Sequence, residues 1–202
     1  MAKFDEFQFR KQPWFDEANF QGFDQAIPLK SIVIHCFDPR AAHIPYAVAE
    51  YFGDETYPGE NILDEAGNII GNSQSIFTLS NAGGRAISAL ESVAAMNYLF
   101  NKLKRVIVVH HSFCGTTSFE PEQLFERFHD HYNADVSKMW DVDDVAILDY
   151  EKSLKHDIQL LRSSPATPKK IELYGFFYEI NSGTLTEVVR DIPAQQPPPL
   201  HS

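Results

Sequence analysis

His110-His111-Ser112-Phe113-Cys114-Gly115 follows directly on the apolar run Val106-Ile107-Val108-Val109. It holds one of the two cysteines of the chain. The other, Cys36, stands in the same kind of place, after Ile32-Val33-Ile34-His35 and at the head of Cys36-Phe37-Asp38-Pro39-Arg40. Short β-branched runs of this kind read as buried parallel strands. In an open α/β sheet, sites form beyond the carboxyl ends of the strands. Two thiols and a histidine, each just past such an end, point to a soft-metal site at one edge of a sheet.

Working outward, the chain alternates strand and helix signals. Pro28 precedes the strand Ser31 to His35, and Ile44 to Phe52 reads as a short helix ended by Gly53. Residues 53–75 are polar and turn-rich, which suggests a surface excursion with a small hairpin. Ile76-Phe77-Thr78-Leu79 reads as a strand running into Ser80-Asn81-Ala82-Gly83-Gly84-Arg85. A helix follows, with Ile87, Leu90, Val93, Ala94, Leu99 and Leu103 on one face and Lys102, Lys104 and Arg105 closing it. This β–α–β unit predicts parallel strands.

After the central motif, Glu120-Pro121-Glu122 opens a helix carrying Leu124, Phe125 and Phe128. Asp141 opens another, whose face is Val145, Leu148, Leu154, Ile158 and Leu161, ended by the loop 163–168. Ile171 to Tyr178 is a strand, Asn181-Ser182-Gly183 a turn, and Leu185 to Val189 an edge strand returning antiparallel. The expected fold class is therefore α/β, a central mostly parallel sheet flanked by helices with an antiparallel edge strand. Its expected divisions are an aromatic N-terminal arm over 1–27, a metal-binding α/β catalytic domain over 28–190, and a Pro-rich flexible tail over 191–202. The arm carries Phe4, Phe7, Phe9, Trp14, Phe15, Phe20 and Phe23. So many rings need burial, by helical packing on the arm's own domain or on a partner subunit.

The bulk numbers exclude several classes. A chain of 202 residues with 44% apolar content builds one ordinary core. A formal charge of −11 repels nucleic acid and anionic membranes. No run approaches the roughly 18 apolar residues of a membrane span. The first residues, Met-Ala-Lys-Phe-Asp-Glu-Phe, lack a signal core, so a cytoplasmic location is expected. In that reducing setting two cysteines favour metal binding or catalysis over a disulfide.

Neighbouring parallel strands lie about 5 Å apart, which would bring Cys36 to His111 and Cys114. A Cys₂His set favours zinc and leaves one tetrahedral position open, as in a catalytic site. Asp38 and Arg40, two apart in an extended segment, can point the same way, so that the guanidinium grips the carboxylate. Beside a metal, an oriented carboxylate is an acceptor for a bound water. An ordinary ion pair and a pair of buried free thiols are the plainer readings of the same residues. The glycines of 81–85 allow backbone N–H groups near the site, or only a tight strand-to-helix turn.

Cys36-Phe37-Asp38-Pro39-Arg40, then Asn81-Ala82-Gly83-Gly84, then His111-Ser112-Phe113-Cys114-Gly115 resemble the β-class carbonic anhydrases, whose pattern is Cys-x-Asp-x-Arg followed by His-x-x-Cys-Gly. The resemblance covers about 28–190. It implies one zinc per subunit held by Cys36, His111 and Cys114 with water or hydroxide as fourth ligand, and Asp38 and Arg40 as a catalytic dyad. In some members the matching aspartate is itself the fourth ligand. It also implies a homodimer or larger homo-oligomer, with the N-terminal helical arm on the partner.

Ser80 stands where many members have arginine, Pro39 where they have a small residue, and Phe113 where they have a polar one. Gln25 is the one candidate for a substrate-orienting glutamine. Phe37, Ala82, Gly83 and Phe113 are the expected pocket, with an apolar mouth. His43, His110 and nearby tyrosines are candidates for moving protons. The resemblance implies reversible hydration of carbon dioxide. Relatives on this fold that hydrolyse carbonyl sulfide or carbon disulfide make that the alternative, and a catalytically silent zinc-stabilised dimer is a third reading.

Overall fold

The computed structural model describes residues 4–193. Five strands form the central sheet in the order β4-β1-β5-β6-β7. These are β1 (Ser31–Cys36), β4 (Ile76–Asn81), β5 (Arg105–His111), β6 (Glu172–Glu179) and β7 (Thr184–Asp191). β1 pairs in parallel with β4 on one side and β5 on the other, β5 pairs in parallel with β6, and β7 returns antiparallel on β6. The mostly parallel sheet with its antiparallel edge is the one the sequence pattern predicts.

Every residue of β1 and β5 is buried. The reason is that both faces of the sheet are covered, so alternation of polar and apolar residues is suppressed. Ile32, Ile34, Val106 and Val108 point into one core with Val93, Leu154, Ile158 and Leu161. Those four come from α2 (Leu90–Leu99) and α5 (Tyr150–Ser163). Val33, Ile107 and Val109 point into the opposite core with Ile44 and Val48 of α1 (Ile44–Phe52), and with Tyr174 and Phe176. Gly53 ends α1 in the left-handed region at φ 67°, as a C-terminal glycine does. The excursion over 53–75 carries the expected hairpin, β2 (Asn61–Leu63) against β3 (Ile69–Asn72).

Three expectations need correction. α2 ends at Leu99, so Lys102, Lys104 and Arg105 do not close it. Phe100 and Leu103 turn inward to the core instead, and Arg105 starts β5. There it is drawn to the buried Glu55 carboxylate at 2.5 Å and to Asp54 at 3.0 Å. The helix expected from Asp141 is two helices, α4 (Val142–Val145) and α5, with a break between them. The break has a cause: Ala146 O accepts from Arg85 Nη1 at 3.0 Å, and Ile147 N donates to Thr116 O at 3.0 Å. Asp149 then restarts the helix by accepting from Lys152 N at 2.9 Å. Leu148, expected on the buried face, is left exposed.

The arm is the third. It forms two 3-10 turns, Asp5–Phe7 and Phe9–Lys11, rather than a longer helix. Its rings run inward from Phe9 through Phe23 (4.9 Å between centroids) to Phe100 (6.4 Å). Phe7 and Trp14 stay 76% and 67% exposed. α3 (Pro121–Tyr132) begins where expected, with a capping box between Glu120 and Gln123. The Pro-rich tail lies, from residue 194 on, outside the described residues.

Candidate metal centre

Parallel register assembles the site. His35 pairs with Val109, so Cys36 closes β1 next to the end of β5, which runs two residues further to His111. Beyond it, Ser112 N donates to Tyr178 O at 2.9 Å, and Phe113 takes φ 55°. A left-handed backbone costs a bulky residue roughly 1–2 kcal/mol. The reversal it makes brings Cys114 back over Cys36, and Arg40 Nη2 holds the turn by donating to Phe113 O at 3.1 Å.

The three donor atoms lie within 4.8 Å of one another, and all three residues are buried. Cys36 Sγ and Cys114 Sγ are 3.8 Å apart and unbridged. Two sulfurs each about 2.3 Å from a tetrahedral ion would be about 3.8 Å apart. His111 Nδ1 donates to Ser112 O at 2.9 Å, which turns the other ring nitrogen toward the sulfurs. That Nε2 is buried and has no hydrogen-bond partner. An orphaned imidazole nitrogen facing two thiols at tetrahedral spacing fits a metal ion.

The surroundings shift the two thiols in opposite directions. The hydrogen bond to Cys114 and then burial push the Cys36 thiol up, while the bond from Cys36 pulls Cys114 far down, helped by His111 and Thr116.

Asp38 does not join the donor cluster. Arg40 grips its carboxylate, Nε at 3.0 Å from Oδ1 and Nη2 at 2.5 Å from Oδ2, while Arg40 N also donates to Oδ1 at 2.9 Å. These bonds hold the Asp38 carboxyl down to about 2. A cavity of about 340 Å³ opens on the thiols, lined by Phe37, Asp38, Pro39, Ala82, Gly83 and Thr116 among others. Phe113 and Phe37 are 71% and 66% exposed, so neither is packed into the domain. The glycine pair has a steric reason. A Cβ on Gly84 would lie 2.9 Å from the backbone of His35 and from Val109 O, so the strand-to-helix turn closes on the sheet only there.

Several residues that surround the centre were not singled out by sequence. Thr116 Oγ1 lies 3.1 Å from Cys114 Sγ, and Tyr150 Oη donates to His111 O at 3.0 Å. Behind the centre, Asp157 accepts from Arg85 Nε at 3.0 Å and bonds His110 Nε2 at 3.1 Å, all three buried. Burial pushes the His110 pKa down, and the His110 and Arg85 contacts pull that of Asp157 down against its burial. His110 is therefore a structural partner of Asp157, sealed from solvent. His43 is exposed beside the site-bearing loop, and Gln25 lines a different cavity with Asp24, Asn101 and Lys102. Asp157 did leave a signal, as an acid on the apolar face of α5 between Leu154 and Ile158.

No protein-family model matches the sequence, and no curated protein does. Solved structures do. A carbonic anhydrase from Streptococcus mutans is 24% identical, with TM-score 0.59, over 94% of this chain and 99% of that one. A β-carbonic anhydrase from Trichomonas vaginalis is 16% identical, with TM-score 0.55, over 94% and 99%. A carbon disulfide hydrolase in its apo form is 18% identical, with TM-score 0.50, over 83% and 80%.

Proposed function

We propose that this chain, which has the fold of the β-carbonic anhydrases, is a zinc enzyme that reversibly hydrates carbon dioxide to bicarbonate and a proton. The observation that carries the proposal is the Asp38 carboxylate, locked by Arg40 beside a cavity lined by both thiols, with the orphaned His111 imidazole nitrogen buried close to the sulfurs. Cys36, His111 and Cys114 would hold the ion. Bound there, zinc supplies a Lewis acid that brings the pKa of water toward neutrality.

The protein's own groups do the rest. Asp38 stays ionised down to about 2, so at working pH it is a hydrogen-bond acceptor only. It would fix the attacking water by one proton and leave a lone pair facing the cavity. Arg40 is spent on holding Asp38 and Phe113 O, a grip that would keep Asp38 from serving as a ligand itself. Phe37, Ala82 and Gly83 give an apolar approach suited to a small uncharged linear substrate and unfavourable to its charged product, while Phe113, the fourth residue expected there, does not line the cavity. Two thiolate ligands would neutralise the ion's charge, so a water there would acidify less than under three imidazoles. Activity should therefore climb from neutral into alkaline pH.

The exposed phenylalanines favour one alternative at the same site, hydrolysis of carbonyl sulfide to carbon dioxide and hydrogen sulfide. Carbon dioxide hydration and hydrogen sulfide release measured on one zinc-loaded preparation separate the two. Faster turnover of carbon dioxide is expected, and sulfide release without hydration would replace the first reading by the second. Phe7 and Trp14, exposed on the arm, support assembly as a homodimer. Light scattering at micromolar concentration should return twice the 23.0 kDa chain mass.

A further inference from the structure

We infer that Thr116 is a positioning residue of the proposed zinc site, its hydroxyl donating to Cys114 Sγ and setting how much charge that sulfur lends to the ion. The inference rests on the zinc reading above and concerns a residue outside the ligand set and the Asp38–Arg40 pair. A ligating cysteine is a thiolate and can only accept, so the 3.1 Å contact with Thr116 Oγ1 has one direction.

The hydroxyl is held in place from several sides. Thr116 O accepts from Ile147 N at 3.0 Å, which ties the turn to the break between α4 and α5. Gly83 leaves the space: a Cβ there would lie 2.9 Å from Thr116 Oγ1 and 3.3 Å from its Cγ2. A β-branched side chain has few χ1 options, so confinement of its methyl fixes its oxygen. Cys36 meets no hydroxyl; its Sγ accepts from the backbone, from Asp38 N at 3.4 Å and from Gly83. The two sulfurs thus differ in what they accept from, a side-chain hydroxyl at Cys114 and backbone N–H groups at Cys36. A hydrogen bond draws electron density from the sulfur it reaches, which leaves the metal the stronger Lewis acid.

Cobalt(II) reconstitution tests this without relying on turnover. In the unaltered protein, thiolate-to-cobalt charge transfer should absorb in the near ultraviolet. Thr116→Val keeps the shape and removes the hydroxyl, so its more electron-rich sulfur should move that band to longer wavelength. Thr116→Ser, which restores only the hydroxyl, should return it. If the valine variant does not fold, Thr116→Ala against Thr116→Ser reads the same hydroxyl. A band unmoved by loss of the hydroxyl overturns the inference. A wild-type protein with no thiolate-to-cobalt band overturns instead the metal reading beneath it.

Discussion

At the scale of single residues, chemistry near the strand ends was legible because rare residue types mark it. With two cysteines in the chain, Cys36 two residues and Cys114 five residues past a β-branched run, their positions suggested the pairing. Asp38 and Arg40 were legible by spacing, although only their bonds show that both carboxylate oxygens are taken. Thr116 was not legible, since a threonine two residues past a cysteine is ordinary in any turn. Its role depends on the missing Cβ of Gly83, which is far away in sequence. Replacing Cys114 by serine substitutes a hard, poorly acidic donor for a thiolate. Cys114→Ser should lose stoichiometric zinc as measured by metal analysis, and full retention would refute the ligand set. Asp38→Asn keeps the size but leaves an amide that can present N–H to the cavity. It should retain zinc while carbon dioxide turnover falls about 10–100-fold.

At the scale of elements, strand identity and order of appearance came from composition, but boundaries came from polar contacts that sequence does not display. Periodicity ran straight through 141–163 because Val145, Leu148 and Leu154 keep helical spacing. The chain breaks there because Arg85 and Thr116 claim the backbone of Ala146 and Ile147. Arg85 is itself neutralised by Asp157 at 3.0 Å, both nearly inaccessible. Removing one partner of a buried pair typically costs about 3–5 kcal/mol. Asp157→Asn should lose stability on that order in urea unfolding at pH 7. Its acid sensitivity should change as well. The folded Asp157 carboxyl sits below its unfolded value of about 3.9, so its stabilisation is complete above that pH and vanishes as pH falls through the lower folded value. The variant should therefore lose less stability than the wild type on acidification through that window. Parallel losses in both proteins would show that Asp157 does not carry the linkage.

At the scale of the whole molecule, β1 sits between β4 and β5, and that order puts Cys36-Phe37-Asp38, Ala82-Gly83 and His111–Cys114 at one edge. The parallel strands were legible from their apolar runs. The placement of the hairpin over 53–75 and of the arm was not, because both depend on contacts such as Asn72 N to Ala26 O and Phe9 to Phe23. No helix among the described residues is long and apolar enough to cross a membrane. The central claim is that this edge, once loaded with zinc, hydrates carbon dioxide. Stopped-flow hydration by metal-analysed protein, from about pH 6 to about pH 9, tests it most directly. The account predicts turnover proportional to bound zinc and rising with pH. Full zinc occupancy with no turnover anywhere in that range would contradict it.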